Sequence, residues 1–83
     1  MTSPKPEIAP RLYRIGDLAE RAGVSRSVIG AYCMYGLIAE AARTPGDQRL
    51  FDDSAVRRIH LIQDLKHHYT LREIREIFIR DRL

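Results

Sequence analysis

From Tyr13 onward, apolar residues recur at three- and four-residue spacing in four runs, each bounded by residues that start or stop helices. The first run, Tyr13 to Ala22, puts Ile15, Leu18, Ala19 and Ala22 on one face and predicts a short helix. Gly23 follows at once, where a left-handed C-terminal cap is wanted. Ser25 then supplies a side-chain oxygen to N-cap a second helix from about Arg26 to Tyr35, with Val28, Ile29 and Tyr32 inward and Gly36 at its end. The short turn between the two runs predicts a helix-turn-helix, with Val24 as the buried peg.

Beyond Leu37-Ile38 the periodicity lapses through Arg43-Thr44-Pro45-Gly46-Asp47-Gln48-Arg49. Pro45-Gly46 marks a turn, and the short pieces on either side, ending at Leu50-Phe51, predict a small hairpin or wing. Asp52 or Asp53 caps a third helix, whose stripe of Val56, Ile59, Ile62 and Leu65 slants because strict threes drift around a helix; Leu61 falls at its margin. This helix should stop near His67-His68. Thr70 and Glu73 have capping-box spacing and open a fourth helix with Leu71, Ile74, Ile77 and Phe78 inward. The expected fold is mainly α: a winged helix-turn-helix of about four helices, with a small β-hairpin wing between helices 2 and 3. Residues 1–10 hold three of the four prolines and read as a flexible arm, which leaves residues 11–83 as one domain.

Charge sharpens this picture only a little. Fourteen basic residues against 11 acidic ones give +3. Lys5 and Lys66 are the only lysines. Arginine's planar fork suits phosphate and guanine better than a lysine point charge does, although a GC-rich genome would also favour arginine. Cys33 is the one cysteine, so no internal disulfide can form, and no apolar run approaches the length of a membrane span. A cytoplasmic, nucleoid-associated location is the expectation. His60, His67, His68 and Cys33 show no metal-ligand spacing, and no nucleophile motif or Gly-rich phosphate loop occurs, so neither enzyme nor cofactor is expected.

The order of parts is recognisable. Ile15-Gly16-Asp17-Leu18-Ala19, Gly23-Val24-Ser25, Gly36-Leu37-Ile38, Arg43, Arg49, Phe51, Leu65 and Thr70-Leu71-Arg72-Glu73-Ile74 together resemble the DNA-binding domain of MerR-family regulators. The resemblance runs from about Tyr13 to Phe78. It implies a second helix in the major groove, wing arginines on the backbone or minor groove, and a third and fourth helix whose ends touch the backbone. It also implies dimers on palindromic promoter sites, through this chain or through a partner protein that supplies dimerisation. The family pattern Arg-Thr-Leu-Arg-Tyr-Tyr in the second helix is Ser27-Val28-Ile29-Gly30-Ala31-Tyr32 here, with Arg26 one residue early. The glycine and tyrosine usual before the wing arginine are Asp47 and Gln48.

The residues expected to carry DNA binding are therefore Ser25, Arg26 and Ser27 at the start of the second helix, where N–H groups and the dipole favour phosphate. Arg43 and Arg49 flank the wing turn; Arg57 and Lys66 lie toward the two ends of the third helix. Tyr32 offers either a hydroxyl to phosphate or a ring to the core. Two other readings stay open: an excisionase-like architectural DNA binder, and a degenerate helix-turn-helix serving as a protein-interaction module.

Overall fold

The computed structural model describes residues 11–83; the arm expected at residues 1–10 lies outside them. In chain order the elements are β1 (Tyr13–Arg14), α1 (Ile15–Ala22), α2 (Arg26–Met34), β2 (Ala42–Arg43), β3 (Arg49–Phe51), α3 (Asp53–Leu65) and α4 (Leu71–Asp81). The three strands form one antiparallel sheet in the order β1-β3-β2.

The first helix begins two residues later than its periodicity predicts. Tyr13 and Arg14 are extended and pair with Phe51 and Leu50, so the wing's inner strand is hydrogen-bonded on both sides. The reason is burial. In the strand Tyr13 is 5% exposed, and its hydroxyl donates to Asp53 Oδ1 at 2.6 Å, tying β1 to the start of α3. The Arg21 guanidinium covers the other side of that ring, 4.6 Å from its centroid.

The turn between α1 and α2 is closed as its residues require. Gly23 takes the left-handed conformation at φ 73°, and the N–H groups of Gly23 and Val24 both donate to the Ala19 carbonyl. Ser25 Oγ then accepts the Val28 N–H at 3.2 Å. Val24 is half-buried against the core, a partial peg. Gly36, again at φ 73°, turns the chain out of α2 so that Leu37 and Ile38 enter the core.

Leu18, Ile29, Tyr32, Leu37, Phe51, Ile59, Ile62 and Ile74 are the largest fully buried side chains. On α3 the drift of the stripe brings Ala55 into the core with Ile59 and Ile62, while Val56 and Leu65 are half-buried at its edge and Leu61 is exposed. The α3 helix ends at Leu65, with Lys66 as its C-cap, and a turn through Tyr69 follows. Thr70 and Glu73 form the reciprocal capping box of α4, which buries Ile74 and Phe78. Arg58 bolts α3 to the rest: its Nε donates to the Leu37 carbonyl at 2.8 Å and its guanidinium lies 4.6 Å from the Phe78 ring centroid. Among the described residues, no helix is long and apolar enough to cross a membrane.

Candidate nucleic-acid interface

Three parts of the chain meet at one open cleft of about 440 Å³: the β1–α1 junction, the start of α2 and the base of the wing. Arg14, Gly16, Asp17, Arg26, Gln48 and Arg49 line it. Of the residues the sequence proposed, Arg26 and Arg49 are thus brought together. Arg26 packs closely on Gly16: a Cβ there would lie 2.7 Å from Arg26 Nη2, and the end of that side chain would have to move. The guanidinium rests directly over the Gly16 backbone.

The two helix starts at this cleft differ. On α2, Ser25 caps the helix, Arg26 and Ser27 are exposed, and the first turn holds no acid. At α1 the N-cap residue is Arg14, which makes no side-chain capping bond, and Asp17 lies in the first turn. Arg49 also reaches toward α2, beside the Cys33 thiol. Burial pushes that thiol above its ordinary pKa, and the nearby Arg49 only partly offsets this.

Arg43, the other wing arginine, is exposed but engaged. Its Nε donates to Glu40 at 3.0 Å and its Nη1 to Asp47 at 2.7 Å. Asp47 and Glu40 hold the Arg43 guanidinium even more firmly charged than usual. Glu40 in turn is lowered from its ordinary carboxylate range, by its own backbone N–H first and then by Arg43. The turn itself is closed by Thr44, whose N–H donates to the Gln48 carbonyl at 2.9 Å and whose Oγ1 accepts the Gln48 N–H at 3.1 Å. Asp47 sits at φ 67°, a left-handed position of the kind glycine fills most easily.

The remaining proposed residues lie elsewhere. Tyr32 is 2% exposed, and its hydroxyl accepts from Gln63 Nε2 at 2.9 Å, so the ring fills the core and the oxygen faces α3. Arg57 is exposed one turn into α3, and Lys66 is exposed at the far end of that helix; neither lines the cleft. Arg14, Gly16 and Gln48 were not proposed as binding residues from the sequence. The local signal for Arg14 is only that it is a second arginine three positions after Arg11, and the cleft exists only once β1 pairs with β3.

A helix-turn-helix with a three-stranded wing packed beside it, carrying arginines at the start of α2 and along the wing, defines a winged helix-turn-helix domain. The family model for MerR HTH family regulatory proteins matches residues 13–80, and the chain belongs to that family. It is similar to the nodulation protein NolA of Bradyrhizobium elkanii, 40% identical over 67 residues that make up 80% of this chain and 31% of that protein. It is similar also to the mercuric resistance operon regulatory protein of Bacillus cereus, 38% identical over 75% of this chain and 48% of that one. The chain thus spans a third to a half of the length of these relatives. Among solved structures it resembles HiNmlR, a MerR family regulator lacking the sensor domain and bound to promoter DNA, with a TM-score of 0.72 and 26% identity over 81% of this chain and 54% of that one.

Proposed function

We propose that this domain is the DNA-binding module of a sequence-specific transcription regulator, with the start of α2 in the major groove and the wing against the backbone. The observation that carries the reading is the exposed, acid-free first turn of α2, with Arg26 and Ser27, next to a cleft lined by three arginines. Backbone N–H groups and guanidinium forks give phosphate what it needs to fix register, and side chains at the helix start reach base edges. The similarity to a family member bound to promoter DNA supports it. Arg43, Arg57 and Lys66 add phosphate contacts on either side; Ser25 acts as the cap that orients the helix start. Tyr32 supports α2 from within. The domain works as a binding module rather than a catalyst, in two copies or beside a partner protein, on the bacterial nucleoid.

The test is selection from a random-sequence duplex pool followed by a salt titration. Enrichment of an inverted repeat, with affinity falling steeply in salt, is the expected result. Enrichment of a direct repeat with bending would replace the regulator by an architectural factor. Absence of binding at low salt by folded protein would overturn both and leave a protein-interaction module.

A further inference from the structure

We infer that the cleft between β1, the starts of α1 and α2, and β3 is a seat for one DNA backbone phosphate, held by Arg14, Arg26 and Arg49 over the bare backbone of Gly16. The inference rests on the DNA-binding reading above and extends it to Arg14 and Gly16, which lie outside the recognition helix and the wing.

Three arginines line this one concavity, with Asp17 as the one acid among its lining residues, and the Arg26 guanidinium lies over Gly16. Among the described residues, none of the three forms an ion pair. The contrast with Arg43 is direct: two acids, Glu40 and Asp47, are both spent on it. Glu40 feels the charge of Arg49 but bonds Arg43. Three cations gathered in a concavity with a single carboxylate leave an excess of positive charge, and an anion between them relieves their repulsion. The planar fork of arginine matches a phosphate's paired oxygens.

Gly16 gives the seat its floor. A Cβ at that position would lie 2.7 Å from Arg26 Nη2, so the end of that side chain would have to shift off the Gly16 backbone. The α1 start has no side-chain cap, so its first N–H groups remain available to an acceptor in the same cleft. The seat also accounts for the altered second helix. With Ser27 and Gly30 where arginines are expected, Arg26, one residue early, turns back toward α1 and grips the backbone instead of reaching bases.

The experiment follows backbone and arginine Nε–H resonances of the whole chain while a selected duplex, and separately inorganic phosphate, is added. The duplex should shift the Gly16 and Asp17 amides and the Arg14, Arg26 and Arg49 side-chain signals. Arg14→Ala should reduce the magnitude of the log-affinity against log-salt slope by about one, with an unchanged melting temperature. Gly16→Ala should shift the Arg26 Nε–H signal and weaken duplex binding less than Arg14→Ala does, although alanine is the better helix residue. If the duplex binds and shifts Ser27 while the cleft signals and the Arg14→Ala slope stay put, the seat is overturned and the DNA reading stands. Response to inorganic phosphate but not to duplex overturns it in favour of a free-anion site. No duplex binding at all overturns both.

Discussion

Arg43 and Asp47 face each other across the wing turn, Nη1 to Oδ1 at 2.7 Å, with Glu40 on the guanidinium's other edge at 3.0 Å. The wing arginine proposed to meet phosphate is thus already occupied by two carboxylates of its own chain. Both are exposed or partly so, and water and salt screen such pairs, so the contact is a competitor for phosphate rather than a structural bolt.

Replacing Asp47 by glycine removes the nearer competitor and suits the left-handed backbone at φ 67°. Asp47→Gly is expected to bind duplex several-fold more tightly at low salt, with a salt slope steeper by about one. The melting temperature should not fall. Fluorescence anisotropy across a salt series checks this. Weaker binding would mean that the pair aims Arg43 at the DNA instead of holding it back.

The acid limb of stability should pass through Asp52. Its carboxylate caps α3 and is lowered from the ordinary range by the Ser54 hydroxyl first, then by the Ser54 and Ala55 N–H groups and by Arg57. A carboxylate whose pKa is lower folded than unfolded stabilises fully above its unfolded value of about 3.9, and loses that stabilisation as pH falls through the folded value. Asp52→Ala should cost about 1 kcal/mol at neutral pH and flatten the acid limb of the melting curve. Asp52→Asn should keep most of the cap and lose only the pH dependence. Thermal melts of the three proteins from pH 2 upward decide it.

Tyr32 separates packing from DNA contact. Tyr32→Phe leaves the ring in place and removes the acceptor of the Gln63 amide. The expected result is a loss of about 1 kcal/mol in denaturant unfolding, with no change in the salt slope of duplex binding. A slope reduced by one would return the hydroxyl to the phosphate backbone.

The helices were legible in the sequence because their signals are local: Gly23 and Ser25 fix the turn within a few residues of where they act, and Thr70 and Glu73 announce their helix by spacing alone. β1 was not legible. Tyr13 and Arg14 continue the helical pattern of Ile15 and Leu18, and what makes them a strand is pairing with residues nearly forty positions away. The same distance hid the cleft, since Arg14, Arg26 and Arg49 are unrelated in sequence until that pairing forms. Resemblance to a family marked Arg49 and Arg43 alike, yet their surroundings differ in kind. One opens into the cleft, and the other is closed off by Glu40 and Asp47. Side-chain partnerships of this sort depend on rotamers and turn conformation, which residue spacing does not carry.

Gly30 is the sharpest remaining test of how α2 meets DNA. It lies in the helix interior, and a Cβ built there meets nothing within 4 Å. The position falls where the family pattern has its second arginine, so the free space lies on the side from which that arginine would read the groove. Gly30→Arg should therefore act on two levels. Helix propensity alone should raise stability by up to about 1 kcal/mol, since arginine is close to alanine on that scale and glycine is poor. In duplex selection, the added fork should increase affinity, steepen the salt slope or sharpen preference for guanine at one position, according to whether it lands on phosphate or on a base. A stabilised protein whose duplex binding is lost would have a different meaning. The groove wall would already occupy the space above Gly30, and α2 would lie against DNA by close backbone approach, with specificity drawn from shape rather than from arginine.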